Sequence, residues 1–206
     1  MLYEELAARI NVSRETFERL EVYAELLKKW TTRINLVSPK TLENLWERHI
    51  LDSAQIYGLA EGGSGRWADF GSGGGFPGLV VAIIDADRKN FGEFVLVESD
   101  QRKAAFLRTV ARETETSVRV VAERVETIPP LEAGIVSARA LADLSTLLGF
   151  AERHAKNGAN CLFLKGARWQ NEVDEARVAW SFELEAVKSI TDPDAVILRI
   201  GEVARA

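Results

Sequence analysis

Cysteine is nearly missing from this 206-residue chain, which holds Cys161 alone, and histidine is limited to His49 and His154. One thiol excludes an internal disulfide, and a lone cysteine with two distant histidines matches no familiar ligand spacing, so no metal is expected. Long apolar runs are missing too. The longest, from Leu79 to Ile84, falls far short of the roughly 20 residues that a membrane-spanning helix needs. Nor does the start, with Glu4 and Glu5 among its apolar residues, follow the basic-then-apolar order of a signal peptide. A cytoplasmic chain with no membrane partner is expected. Positive charge is also short: 26 lysines and arginines against 31 acids leave a net charge of -5, which argues mildly against a nucleic-acid partner.

The distribution of charge says more than the sum. Lys28, Lys29, Arg33, Lys40 and Arg48 crowd the N-terminal region, and Arg102, Lys103, Arg108 and Arg112 fall within one expected helix. Each group reads either as a solvated helix face or as a patch for phosphate. The hydrophobic fraction of 47% and charged fraction of 28% are those of a folded globular chain, long enough for one compact catalytic unit with an appendage.

Ser13 is placed to cap a helix in which Phe17, Leu20, Ala24, Leu27 and Trp30 recur at three- and four-residue spacing. Ser38-Pro39 reads as the start of a second long helix, with Leu42, Leu45, Trp46, His49, Ile50 and Tyr57 along its apolar stripe. Gly62-Gly63-Ser64-Gly65 then reads as a flexible joint. Residues 1–61 are expected as a helical extension and 66–206 as the main domain. Beyond the joint, short β-branched runs alternate with helical stretches, the signature of a parallel sheet covered on both faces. Strands are expected at 66–70, 94–98, 118–122, 134–138 and 159–165, with a helix in each of the four gaps. A terminal antiparallel hairpin, 182–190 with 195–200, turns at Thr191-Asp192-Pro193-Asp194.

The strongest signal follows the first strand: Asp69, then Gly71-Ser72-Gly73-Gly74-Gly75-Phe76-Pro77-Gly78 before an apolar helix. Glycines let the backbone turn and a ligand approach without a Cβ in the way, while the helix start offers unpaired N–H groups to an anion. Gly71, Ser72, Gly73 and Gly75 are thus candidate cofactor contacts, and Glu98, closing the second strand, is placed to accept both hydroxyls of a ribose. Gly73, Gly75 and Gly78 also satisfy G-x-G-x-x-G, so a nicotinamide or flavin cofactor competes. Two features favour S-adenosylmethionine: Asp69 would face the ammonium of its methionine yet repel a pyrophosphate, and the sheet ends in a hairpin. The remaining alternative is a purely structural turn.

Val125 and Glu126, beyond the third strand, are placed to pack on adenine and accept its exocyclic amine, or else to begin a surface helix. Arg139 ends the fourth strand within Ser137-Ala138-Arg139-Ala140, where donor and acceptor must meet in such a fold, and Lys165 ends the fifth. Each is a contact for base or phosphate, or a salt-bridge partner, for Arg139 with an acid such as Asp143. His49, on an apolar stripe, reads first as a packing histidine, and Cys161, inside an apolar strand, as core.

Asn35-Leu36-Val37-Ser38, Arg48-His49-Ile50-Leu51-Asp52-Ser53, the Asp69 to Gly78 loop, Arg139-Ala140 and Leu164-Lys165-Gly166 together resemble, in order and spacing, the ribosomal RNA small subunit methyltransferase G family, also called glucose-inhibited division protein B. The resemblance runs from about Leu26 to the C-terminus. It implies an α/β, class I S-adenosylmethionine-dependent methyltransferase fold, Rossmann-like, with a mostly parallel seven-stranded sheet, and a methyltransferase domain at 66–206. It further implies S-adenosylmethionine as donor, S-adenosylhomocysteine as product, and N7 of one guanine in the decoding-region loop of 16S rRNA as acceptor. Carried over by position, it places cofactor contacts at Gly71, Phe76, Val125, Glu126 and Arg139. Two positions depart from many members: Glu98 replaces an aspartate, and Ala138 separates Ser137 from Arg139, which leaves the role of Ser137 open.

Guanine N7 carries an in-plane lone pair and is unprotonated at neutral pH, so its attack on a sulfonium methyl needs no general base. That suits a chain with no evident acid–base pair, in which Ser137 to Ala140 lacks the Asn/Asp-Pro-Pro-aromatic segment common in exocyclic-amine methylation. Arg139 and Lys165 are the expected residues at the reacting base, with Arg48, Asn35 and His49 as candidates for RNA. The expected partner is 16S rRNA or the small ribosomal subunit, bound by a monomer. Two other readings compete: a noncatalytic RNA-binding or ribosome assembly factor, and an NAD- or flavin-linked oxidoreductase on the same glycine loop.

Overall fold

Side chains alternate between the faces of a strand, so strands that are apolar throughout need helical cover on both sides. The computed structural model describes residues 3–60 and 65–206; Gly62, Gly63 and Ser64 of the expected joint lie outside the described residues. Helices α1 (Tyr3–Ile10) and α2 (Arg14–Thr31) lead into α3 (Pro39–Leu42), a π-helical turn (Trp46–Leu51), α4 (Asp52–Ala54) and α5 (Ile56–Leu59). There follow β1 (Arg66–Phe70), α6 (Gly78–Arg88), β2 (Glu93–Val97), α7 (Gln101–Glu113) and β3 (Arg119–Val121). The chain continues through β4 (Ala133–Arg139), α8 (Leu144–His154), β5 (Ala155–Lys165), α9 (Trp169–Ala176), β6 (Trp180–Lys188) and β7 (Val196–Arg205).

The strands form one seven-stranded sheet in the order β3-β2-β1-β4-β5-β7-β6. It is parallel through β5, and β7 runs antiparallel to both neighbours. The strand order reverses between β1 and β4, and the crevice beyond their C-terminal ends is where such sheets bind ligands. Trp67, Phe94, Leu96 and Ile135 face a layer built with α2, α6 and α7, whereas Ala68, Phe70, Val95 and Val97 face α8 and α9. Helix starts are fixed by side-chain caps: Ser13 accepts from Thr16 N, Asp100 from Arg102 N and Lys103 N, and Asp143 from Thr146 N. No helix among the described residues is long and apolar enough to cross a membrane.

Two expectations are corrected here. The second long helix is broken into α3, the π-helical turn, α4 and α5. Leu45, Ile50, Leu51, Ile56 and Tyr57 are buried as the stripe requires, but the Asp52 N–H bonds to the Glu47 carbonyl, five residues back, so the pitch widens in mid-course. Nor does a helix fill the gap between β3 and β4: residues 122–132 run as turns, bends and irregular chain. Pro129 and Pro130 lie there, and proline both lacks an N–H and disfavours the α region for the residue before it. Strand limits shift as well, β5 starting at Ala155 and β7 running to Arg205.

The extension is joined to the sheet layer through aromatic packing. Fully buried Phe106 of α7 lies 6.3 Å from the Tyr23 ring and 5.6 Å from the Trp30 ring of α2. Phe106→Ala is therefore expected to cost about 3–5 kcal/mol in urea unfolding. A cost under about 1 kcal/mol would mean that α2 is only loosely docked.

Candidate active site

The glycine loop between β1 and α6 is laced to the ends of its neighbours. Ser72 N donates to the Val97 carbonyl at 3.1 Å, and Gly73 N donates to Glu98 Oε2 at 2.8 Å. The other oxygen of Glu98 accepts from Asp100 N at 2.8 Å, so one carboxylate ties the loop to the start of α7. The glycines divide by what a side chain would meet. A Cβ at Gly75 would stand 2.6 Å from the Tyr23 hydroxyl, which itself donates to the Gly74 carbonyl; the need there is packing. At Gly73 the nearest atom would be the Gly71 carbonyl at 3.7 Å, so space is free there and the need for glycine comes from the left-handed backbone, φ +55°.

Asp69 differs from expectation. It is fully buried and does not line the cavity beside the loop, so its carboxylate faces protein. Ser137 Oγ donates to its Oδ1 at 2.6 Å, and Trp67 Nε1 donates in turn to Ser137 Oγ at 2.8 Å. The role left open for Ser137 is thus to orient Asp69. Asp69 Oδ2 has no hydrogen-bond partner among the described residues, and a Cβ at Gly78 would strike this side chain. Burial pushes the Asp69 carboxyl up to about 6, against the opposing pull of Ser137, Ser72, the Gly78 backbone and the Arg139 charge.

A cavity of about 780 Å³ opens at the C-terminal ends of the strands, a size usual for ligand pockets. Gly71, Ser72, Gly73, Glu98, Val125 and Glu126 line it together with Arg48, His49, Asp52, Arg139, Lys165 and Thr191, and Phe76 of the glycine loop lies against His49 and Arg139. Of the expected site residues, Asp69, Gly75 and Asn35 are off the wall; Asn35 is exposed, and its neighbours Leu36 and Val37 reach the cavity instead. Cys161 is buried in β5, where burial pushes its thiol up to about 12. Among the described residues no cluster of His, Cys, Asp and Glu could hold a metal ion.

Arg139 is the most engaged residue of the wall. Its Nη1 donates to Asp52 Oδ2 at 3.0 Å and to the Arg48 carbonyl at 3.2 Å, and its Nη2 lies 2.9 Å from His49 Nδ1. Its guanidinium carbon stands 4.8 Å from the Phe76 ring centre, and the His49 ring stacks on Phe76 at 4.9 Å. Asp52, which sequence reasoning did not single out, also accepts from Thr191 Oγ1 at 2.8 Å and from Gln55 Nε2 at 3.0 Å. Arg48 pairs with Asp192 at 3.0 Å. The π-helical turn and the β6–β7 turn are thereby clamped together. The available signal was the spacing of His49 and Asp52, three residues apart within one motif.

Lys165 takes the salt-bridge alternative. Its ammonium, on a side chain 8% exposed, donates to Glu172 Oε2 at 2.6 Å and to the Ala142 carbonyl at 2.8 Å. Glu172 also accepts from Leu144 N, so the pair holds α9 against the start of α8.

Comparison with known proteins follows the same lines. The family model described as rRNA small subunit methyltransferase G matches residues 16–197. The chain belongs to that family. It is 55% identical over 199 residues to the ribosomal RNA small subunit methyltransferase G of Ruegeria pomeroyi, covering 97% of each chain. The protein of the same name from Paramagnetospirillum magneticum is 50% identical over 202 residues, with 98% of this chain and 96% of that one covered. Among solved structures, the tRNA (m1A58) methyltransferase of Aquifex aeolicus aligns with a TM-score of 0.59 at 13% identity, over 89% of this chain and 76% of its own. At that identity the likeness is one of fold, and the fold is the class I, Rossmann-like one with its antiparallel seventh strand.

Asp69 and His49 act oppositely on stability below neutral pH. Burial and the charges of Arg139 and Arg48 lower His49 to about 4, so the stability due to its neutral form is lost as pH falls from the unfolded value near 6.5. Asp69 is raised, so its contribution is full below its unfolded value near 4 and is lost as pH rises through about 6, on the order of 2–3 kcal/mol. Asp69→Asn removes only the second effect. Its stability relative to the parent should therefore rise between pH 4 and pH 7 in urea titrations; a pH-independent difference would mean that Asp69 is not shifted.

Proposed function

We propose that the chain transfers a methyl group from S-adenosylmethionine to N7 of a guanine in the decoding-region loop of 16S rRNA. The observation that carries the N7 reading is that each base at the acceptor end of the cavity is already engaged: Asp52 with Arg139, Glu172 with Lys165, Asp192 with Arg48, and His49 Nδ1 with Arg139. N7 suits such a site because its lone pair needs no proton removed. The same reading takes residues 1–61 as an extension and 66–206 as the methyltransferase domain of a cytoplasmic monomer working on 16S rRNA or the small ribosomal subunit.

The residues at the other end fit the donor. Open space at Gly73 adjoins Glu98, a carboxylate with lone pairs beyond the two backbone N–H groups it accepts, suited to ribose hydroxyls. Val125 gives an apolar surface for adenine, and Glu126 an acceptor for its amine. When bound, S-adenosylmethionine supplies an electrophilic methyl on sulfur. The protein's part is to align and to exclude water, and alignment alone is worth about 7–11 kcal/mol in well-oriented intramolecular models. Three of the five N–H donors of Arg139 are engaged, which leaves two for guanine O6 or a phosphate and recovers part of the few kcal/mol that unstacking the base costs.

Incubation with tritiated S-adenosylmethionine and unmethylated small subunits should label RNA that yields 7-methylguanosine on digestion. Label on ribose or on an exocyclic amine would contradict the base-free reading, and no label would favour the noncatalytic assembly factor. Donor binding can be checked alone: at 100 times its dissociation constant, S-adenosylhomocysteine should add about 2.7 kcal/mol of stability. Gly73→Val should abolish that gain, and a gain with NAD alone would favour the oxidoreductase.

A further inference from the structure

We infer that His49 is a positioning residue for methyl transfer, its Nδ1 lone pair fixing the Arg139 guanidinium over Phe76 at the acceptor end of the cavity; the inference rests on the methyltransferase reading above. An arginine side chain carries donors only, so the 2.9 Å approach of Arg139 Nη2 requires a lone pair on His49 Nδ1. The ring is then neutral, with its proton on Nε2. Burial and the neighbouring charges of Arg139 and Arg48 hold the ring in that state, its pKa falling to about 4.

The π-helical turn is what brings the partners together. In a regular α-helix the Asp52 N–H would bond to the Arg48 carbonyl, four residues back. Here it goes to the carbonyls of Glu47 and His49, and the Arg48 carbonyl accepts from Arg139 Nη1 at 3.2 Å. The Arg48 carbonyl, the His49 ring and the Asp52 carboxylate therefore meet one guanidinium from a single turn of chain.

Each partner constrains a different motion. Asp52 and the Arg48 carbonyl hold Nη1, and without a contact at Nη2 the guanidinium plane could still rotate about that end. His49 supplies the second point, while its ring lies on Phe76 at an interplanar angle of 29°. Phe76 belongs to the glycine loop, so the guanidinium is referenced to the loop that would carry the donor as well as to β4. A histidine present only for packing would be replaceable by an apolar side chain of similar size; one that holds Arg139 would not.

The test measures single-turnover methyl transfer at saturating donor and RNA, with donor affinity determined separately. His49→Leu keeps bulk and removes the acceptor; it should slow transfer by about tenfold to a hundredfold, the cost of a misplacement of about 1 Å, and leave donor affinity within about twofold. His49→Asn, whose amide oxygen can stand near the Nδ1 position, should restore most of the rate. In an Arg139→Ala background, His49→Leu should have no further effect, because the two act as one unit. A wild-type rate for His49→Leu, its full effect in the Arg139→Ala background, or a fall in donor affinity that matches the fall in rate would each overturn the proposal. If His49→Leu does not fold, His49→Gln, whose oxygen lies nearer the Nε2 position, takes its place and should also be slow. Failure of the underlying reading is distinct, since the unaltered protein would then transfer no methyl group.

Discussion

The ion pair between Arg139 and Asp52 is the contact on which the site depends. Both side chains are only 17% exposed, and neither charge could remain there alone without a large desolvation cost. A buried pair is weak evidence for net stability, because its attraction is set against that same cost. Its effect is geometric. Asp52 joins the end of β4 to the π-helical turn and, through Thr191, to the β6–β7 turn, so three segments distant in sequence are held in one relation. The Phe76 face beneath the guanidinium adds the glycine loop as a fourth.

The loop has a second organising centre beneath it. Asp69, Ser137 and Trp67 form a buried chain of hydrogen bonds across β1 and β4, at the point where strand order reverses. Gly75 and Gly78 are required by Tyr23 and by Asp69 respectively, whereas Gly73, on the cavity wall, meets no close neighbour and holds a left-handed φ of +55°. A loop rich in one residue type thus serves two ends: close packing below and a left-handed turn at the cavity wall.

The legible parts of the sequence were those with a local cause. The strand at 66–70, the caps Ser13 and Ser38, and the turn at Asp192-Pro193 each follow from nearby residues, and the structure realises them. The glycine loop and Glu98 could be placed at one sheet edge because consecutive parallel strands bring their C-terminal ends together. What was not legible is which of several possible partners a polar side chain takes once the chain is folded. Nothing near Asp69 says that Ser137 will turn its carboxylate inward, and nothing near Lys165 separates Glu172 from a phosphate. The π-helical turn escaped for another reason: its apolar stripe fits a helix of ordinary pitch nearly as well. The widened pitch coincides with the bonds of Arg139 to the Arg48 carbonyl, the His49 ring and the Asp52 carboxylate, none of which the stripe reports.

The central claim, that Arg139 and Asp52 act as one unit at this junction, is tested most directly by a double-mutant cycle in urea unfolding with Arg139→Gln, Asp52→Asn and the combined variant. Each single change leaves a half-buried charge without its partner, so the combined variant should be less destabilised than the sum of the two. The predicted coupling is about 1–3 kcal/mol, as for contacting charged pairs. Single effects that add to within about 0.5 kcal/mol would contradict the account.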